Sequence, residues 1–215
     1  MFEGFSPETV DFLWGIRMNN RKDWFEPHKK DYVNYLYTPM KELGKALFTP
    51  FLERPGSLLK VSRIYRDARM HHPLPYKERL WLCIRQEGDQ WEDKPCLFFE
   101  MAPEGASYGF GYWQPKPILM EQYRKQWAAA PDRILSLLRQ TEQNTGIPLT
   151  AGIQYKRPKP APIPELQELY SWRGHLNCVR YEPVGPELFG PKLQERVGEM
   201  FEKLMPVYEY FNHSL

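Results

Sequence analysis

The hydrophobic pattern of this chain changes its period twice, and that change limits the folds open to it. Up to about residue 52 apolar side chains recur at helical spacing, from about 57 to 113 they follow the two-residue spacing of strands, and helical spacing returns from Ile118. Strands grouped between helical regions are typical of α+β folds. We predict an α+β fold with a central, mostly antiparallel sheet of about five strands, and helices at the N-terminus, after the sheet hairpins and at the C-terminus.

Start and stop signals divide the helical regions. Ser6 is suited to cap a first helix, with Pro7 at its first position. A second helix is predicted from Asp23, and Pro39 must end or kink it because proline lacks the backbone N–H that a helix interior needs. Further helices are predicted in three places: over 40–52, between 118 and 143 as a broken pair, and over the segment PKLQERVGEMFEKLMPVYEYF.

Four short segments in the middle of the chain are rich in β-branched and aromatic residues and are predicted as strands: SLLKVSRIY, RLWLCIRQ, PCLFFEMA and SYGFGYW. Turn signals separate the last three, so these are expected to pair antiparallel. HLNCVRY is predicted as a fifth strand. The proline-rich stretch IPLTAGIQYKRPKPAPIPELQ is interpreted as an extended surface connection. In SYGFGYW, Gly109 and Gly111 leave room either for a ligand or for a neighbouring backbone.

Composition narrows the class of protein. A length of 215 residues fits one domain, which we expect to span residues 1–215. The net charge of +2 is too small to indicate nucleic-acid binding by itself. The three cysteines include no CxxC pair, so neither structural zinc nor a redox dithiol is indicated. No signal peptide or membrane-spanning run is found. We expect a reduced, soluble, cytoplasmic protein without a cofactor.

The segment SRIYRDARMHHPLPYKERLWLCIR begins like a buried strand and then fills with arginine. If the strand continues through it, Arg63 shares one face with Val61 and Tyr65, and Arg66 shares the other face with Ile64. Each face then carries arginine beside apolar neighbours, so at least one guanidinium is expected to be partly buried. Such a group needs a partner, because stranding one side of a buried ion pair costs about 3–5 kcal/mol.

Two kinds of partner are open. Asp67, Glu78 or Glu100 are candidates for internal salt bridges, since the arginine fork matches a carboxylate. The partner is alternatively an anionic ligand. Between Lys60 and Arg85 the chain carries seven basic side chains and only two acidic ones, a local surplus of five positive charges in a nearly neutral protein. That surplus has to face distant acids, solvent or an anion.

The surplus leads to a candidate site for the phosphate or carboxylate of a small ligand. Arginine forks would orient the anion, a tyrosine hydroxyl would donate a hydrogen bond to it, and the aspartate would fix an arginine or act as a base. Two aromatic side chains outside the segment are candidates for pocket walls. The predicted binding residues are Arg63, Arg66, Asp67, Arg69, Tyr76, Lys77, Trp24 and Trp113.

Some parts of this hypothesis stay open. Tyr76 and Lys77 reach Arg66 and Arg69 only if the loop that carries them folds back. Asp67 and His71 stand four apart, but nearby prolines argue against the helix that a metal site of this spacing needs, so no metal is predicted. Whether the protein is an enzyme, and its oligomeric state, are not predicted.

Two other functions use the same charges. Nucleic-acid binding would combine the arginines with the basic residues Lys156, Arg157 and Lys159 and with stacking aromatics, although the near-neutral charge disfavours it. A non-catalytic docking module would present the basic surface to an acidic partner protein, with some arginines in structural salt bridges.

The segments FEGFSPETVDFL, NNRKDWFEPHKKDY, SRIYRDARM, PYK, GYWQP and KRP resemble, in order and spacing, those of a bacterial and fungal family known as domain of unknown function 2461. The resemblance runs from Phe2 to about Phe211. It implies a single α+β domain and brings no reaction, cofactor or substrate. At MHHPL the chain departs from the serine- and lysine-rich loop of the family, so His71 and His72 take no role from it. The motif positions that the resemblance implies are Asn20, Trp24, Phe25, Arg63, Tyr65, Arg66, Asp67, Arg69, Tyr76, Lys77 and Trp113.

Overall fold

The structure of the chain, a computed structural model, describes residues 1–67, 69, 73–88 and 94–213. The α-helices in this part of the chain are α1 Pro7–Met18, α2 Lys22–Asp31, α3 Thr38–Phe48, α4 Pro117–Ala129, α5 Pro131–Thr145, α6 Gln167–Ser171 and α7 Lys192–His213. A π-helical turn, Tyr32–Tyr37, joins α2 to α3. The strands are β1 Ser57–Val61, β2 Leu80–Gln86, β3 Cys96–Ala102, β4 Gly105–Tyr112, β5 Thr150–Gln154 and β6 Trp172–Pro183.

The strands form one antiparallel sheet in the order β1-β2-β3-β4-β6-β5. The prediction of an α+β fold with an antiparallel sheet is confirmed, and the sheet has six strands where about five were predicted. The additional strand, β5, lies in the proline-rich stretch and pairs with β6, with Thr150 opposite Asn177. At the edge of the sheet β5 is largely exposed, so it carries no apolar alternation by which the sequence would reveal it.

The chain groups into two compact units. The first comprises Met1–Ile84, Phe98–Tyr108 and Tyr181–Gly198, and the second comprises Arg85–Leu97, Gly109–Arg180 and Glu199–Leu215. The single domain over residues 1–215 stays a prediction.

In the first unit the helical start signals act largely as predicted. α1 begins at Pro7, and the backbone N–H of Ser6 donates to Thr9 Oγ1 at 3.1 Å. α2 begins at Lys22 rather than at Asp23, which lies in its first turn. Pro39 does not end a helix. It lies in the first turn of α3, directly after the π-helical turn, and the chain is helical on both sides of it.

The core of the second unit contains large aromatic side chains. Trp127, Trp172 and Tyr123 are almost fully buried, and the Tyr123 hydroxyl donates to the Phe211 carbonyl at 2.8 Å. Gly109 has φ +150°, and a Cβ atom there would lie 2.1 Å from the Cys178 carbonyl oxygen. The room at Gly109 is therefore taken by the backbone of a neighbouring strand, which was one of the two possibilities.

The three thiols, Cys83, Cys96 and Cys178, are buried and none of them forms a disulfide. Within the described ranges, no helix combines the length and the apolar character needed to span a bilayer.

Candidate functional site

The segment between β1 and β2, residues 62–79, is called the basic loop below, and only its described residues are used. β1 ends at Val61, so the predicted alternation of arginines over two strand faces is wrong. The loop instead folds back on itself. Tyr65 and Tyr76 form an antiparallel bridge, the Arg66 N–H donates to the Pro75 carbonyl at 2.9 Å, and the Lys77 N–H donates to the Ile64 carbonyl at 2.7 Å. Tyr76 and Lys77 thus lie beside Arg66.

Asn20 holds this fold in place from the end of α1. Its amide nitrogen donates to the Tyr76 carbonyl at 2.9 Å, and its amide oxygen accepts from the Tyr76 N–H at 3.0 Å. The Arg66 Nε also donates to the Tyr76 carbonyl, at 2.6 Å. The resemblance marked Asn20 as a motif position, whereas reasoning from single residues predicted only that Asn19 and Asn20 close the first helix and gave Asn20 no role in a site. Its partner is 56 residues away, and no local pattern signals such a contact.

Aromatic rings form the floor of the basic loop. Phe25 of α2 is fully buried, and its ring centre lies 4.3 Å from that of Tyr76 and 5.8 Å from that of Tyr65. Tyr76 itself is only 3% exposed. Its predicted hydrogen bond to a ligand therefore does not fit its position, and we assign the Tyr76 ring to packing.

Asp67 and Arg69 pair with each other. The Arg69 Nε donates to Asp67 Oδ1 at 3.0 Å, and Nη2 donates to Oδ2 at 2.7 Å. This fork-to-carboxylate pair raises the pKa of the exposed Arg69 guanidinium. Asp67 thus fixes an arginine, one of its two predicted roles. The pair brings no net charge to the loop.

Glu78 is shared by two arginines. Its Oε2 accepts from the Arg17 Nε at 3.1 Å, whereas its Oε1 lies 3.9 Å from the Arg66 Nη2. The Arg66 side chain is 24% exposed, so it is the partly buried guanidinium that the sequence predicted. Arg79 pairs with Glu100 at 3.2 Å. Internal salt bridges therefore account for Arg69 and Arg79, and only in part for Arg66.

Three further basic side chains in or next to the basic loop have no carboxylate partner among the described residues. Among the residues that the structure describes, no carboxylate lies within 4.0 Å of the charged nitrogens of Lys60, Arg63 or Lys77. The Lys77 Nζ instead donates to the Arg63 carbonyl at 2.8 Å and lies 5.7 Å from the centre of the Trp81 ring.

These side chains are close enough to act on one another. Burial, and then the charges of Arg63, Arg66 and Lys60, lower the pKa of Lys77. Lys60, Arg63, Arg66 and Lys77 are called the cationic cluster below. Because like charges disfavour one another, the folded protein is less stable with Lys77 protonated than it would be without these neighbours.

Removal of one charge from the cationic cluster is expected to stabilise the protein. Arg63→Gln removes an exposed guanidinium that has no carboxylate partner among the described residues, and it should raise the free energy of unfolding by about 0.3–0.5 kcal/mol at low salt. The pKa of Lys77, followed through its ¹³Cε chemical shift, should rise towards its ordinary value. Since the folded-state pKa of Lys77 is lowered, the gain from Arg63→Gln is present while Lys77 is protonated and shrinks as the pH rises through that pKa. An unchanged Lys77 titration would contradict the cluster.

The two tryptophans predicted as pocket walls have other aromatic neighbours among the described residues. Trp24 of α2 stacks on His28, with ring centres 4.0 Å apart. Trp113 belongs to the second unit, where its carbonyl accepts the His175 N–H at 2.9 Å and its ring meets His175 edge-on. The structure thus brings together Arg63, Arg66, Tyr76 and Lys77 from the predicted set.

His71 and His72 lie outside the described residues, so the spacing of Asp67 and His71 is not tested. Within the described ranges, no group of three His, Cys, Asp or Glu side chains is arranged to hold a metal ion.

Comparison with known proteins identifies a family without an activity. A family model with the description "Conserved hypothetical protein (DUF2461)" matches residues 8–210. The curated proteins contain no match to the chain.

Proposed function

The chain belongs to the DUF2461 family, and because that family's description names no activity, we propose a function from the geometry alone: the cationic cluster binds the phosphate or carboxylate group of a small anionic ligand. The observation that carries this proposal is the grouping of four cations that have few carboxylate partners. Four cations lie together, and only Glu78 among the described acids lies within 4.0 Å of any of their charged nitrogens, while its other oxygen is taken by Arg17.

The arrangement suits an anion because two of the four cations are held in advance. The Arg66 Nε is fixed to the Tyr76 carbonyl and the Lys77 Nζ to the Arg63 carbonyl. Side chains that are already ordered lose less conformational entropy on binding. Arg63 is exposed, and an arginine fork can hold an anion in the bidentate manner. Burial, and then repulsion by the neighbouring cations, lower the pKa of Lys77, and a bound anion would offset that repulsion.

The wider hypotheses from the sequence gain less support. Of the additional basic residues considered for nucleic acid, Lys159 pairs with Glu121 and packs on Tyr155. The net charge is only +2. A small anion needs the four cations alone, so it is the ligand class that we favour.

Titration calorimetry with inorganic phosphate and with citrate at low ionic strength tests the proposal. We expect saturable binding, together with a rise in the pKa of Lys77 on saturation. Arg63→Glu should weaken binding by about tenfold or more, since hydrogen bonds between charged groups contribute about 1.5–3 kcal/mol. Arg69→Glu is the matched control in the same loop. Because Arg69 is already paired with Asp67, its substitution should change the affinity by no more than about twofold.

Two results would overturn the proposal. One is the absence of saturable binding of both anions by the folded protein. The other is equal loss of binding in the Arg63 and Arg69 variants, which would indicate a general charge effect. If only oligonucleotides bind, with affinity that falls steeply as salt rises, the cluster serves nucleic acid instead.

A further inference from the structure

A second concave site lies in the first unit, on the helices before the sheet. It is a cleft of about 360 Å³ between α1, α2 and the π-helical turn. The cleft is lined by three aromatic rings, three carboxylates and one histidine. The rings are those of Phe12, Trp24 and Tyr35, the carboxylates are those of Glu8, Asp11 and Asp31, and the histidine is His28. Its volume lies within the range of small-molecule sites, which is about 300–1,000 Å³.

The aromatic walls are held by packing. The Trp24 ring lies 5.9 Å from the ring of Phe12 and stacks on His28. A Cβ atom on Gly15 would lie 2.5 Å from Trp24 Cζ2, so the ring fills the space that this glycine leaves. The Tyr35 backbone is tied to α1, since its carbonyl accepts a hydrogen bond from the buried Thr9 hydroxyl. The Tyr35 side chain is 37% exposed.

The charge of the cleft has the opposite sign to that of the basic loop. In the described part of the chain, Glu8, Asp11 and Asp31 form no ion pair with a lysine or arginine. The three are also not arranged as a metal site in that part of the chain. Aromatic ring faces favour a cation, in particular one that sheds its water readily, and so do carboxylates that have no lysine or arginine partner among the described residues.

We propose that this cleft binds a small organic ammonium ion, which packs against the rings of Trp24, Phe12 and Tyr35 with Glu8, Asp11 and Asp31 around it. Quaternary ammonium groups are the ligands that such combinations of rings and carboxylates recognise. The proposal uses none of the residues of the cationic cluster, so a negative result at one site does not affect the proposal for the other.

Choline and its uncharged isostere 3,3-dimethyl-1-butanol are suitable probes for calorimetry and for amide chemical-shift mapping. We expect saturable choline binding with shifts concentrated in residues 8–35, and binding of the isostere at least about fivefold weaker. Trp24→Leu keeps an apolar but smaller side chain and removes the indole face, and it should weaken choline binding by about tenfold. Asp31→Asn should weaken it several-fold. Asp23→Asn is the matched control, because Asp23 of the same helix pairs with Arg21 and does not line the cleft.

Tyr35→Leu provides a second aromatic variant on an exposed side chain, so the test holds even where Trp24→Leu fails to fold. Thermal melting of each variant shows which ones are folded. The proposal is overturned if choline and the isostere bind equally, or if folded Tyr35→Leu and Asp31→Asn both bind choline as the unmodified protein does. Absence of saturable choline binding at millimolar concentrations would also overturn it.

Discussion

Asn20→Ala is expected to destabilise the protein by about 2–3 kcal/mol and to abolish anion binding at the basic loop. The amide of Asn20 satisfies both the N–H and the carbonyl of Tyr76, and both hydrogen bonds are partly buried. In the variant the Tyr76 N–H loses its partner and its carbonyl keeps only Arg66, and a buried backbone group without a partner costs about 1–3 kcal/mol, less where water can reach it. Tyr76 is joined in turn to Arg66 and to Tyr65. Loss of the Asn20 contacts therefore loosens the segment that positions the cationic cluster.

Denaturant unfolding and phosphate titration of the same variant check this prediction. Asn34→Ala is a suitable control, since Asn34 is an exposed asparagine of the π-helical turn and should change stability by less than about 0.5 kcal/mol. Asn20→Asp tests whether the donor that faces the Tyr76 carbonyl is needed. It places a carboxylate oxygen against the Tyr76 carbonyl in place of a donor, so its stability should recover as the pH falls and the carboxyl is protonated. An Asn20→Ala protein of full stability and unchanged phosphate affinity would refute the role of Asn20.

Arg124→Met is expected to destabilise the protein by about 3–5 kcal/mol, the largest effect we predict. Arg124 lies on α4 and is 5% exposed. Its Nε donates to the Tyr170 carbonyl at 3.0 Å, its Nη2 donates to the Trp172 carbonyl at 2.6 Å, and its Nη1 donates to Glu121 Oε1 at 2.7 Å. One guanidinium therefore satisfies two backbone carbonyls at the junction of α6 and β6. Methionine fills similar space and leaves both carbonyls without a donor.

Equilibrium unfolding in urea measures this effect, with Lys125→Met as the control on the exposed face of the same helix. Arg124→Lys is expected to recover only part of the lost stability. The compact ammonium group of lysine cannot reach two carbonyls and a carboxylate at once, as the planar guanidinium does. A loss below about 1 kcal/mol in Arg124→Met would mean that water or a neighbouring donor satisfies those carbonyls.

The elements that the sequence predicted correctly are those whose cause is local. Ser6 and Pro7 mark the start of α1, and Pro131 marks the start of α5, through the backbone preferences of single residues. The strands in the middle of the chain can be recognised from their apolar residues, because half or more of their side chains are buried. β5 escaped prediction because a largely exposed edge strand lacks that pattern.

The ion pairs of the basic loop also divide into those that the sequence could indicate and those that it could not. Asp67 and Arg69 are two residues apart, and the sequence already offered Asp67 as a partner for an arginine. Glu78 was also a candidate partner, but its closer arginine is Arg17, which is 61 residues away. The acidic cleft was not predicted at all, because its carboxylates come from two helices and have no common motif.

The sequence by itself determined the α+β class, through the period of its apolar residues, and the surplus of positive charge after β1. Only the tertiary structure decided which of those cations are neutralised. A carboxylate neutralises a cation only within about 4 Å, and the folding back of the basic loop against Asn20 and Phe25 sets those distances. Lys60, Arg63 and Lys77 are left without carboxylate partners among the described residues for that reason, and the proposed anion site depends on them.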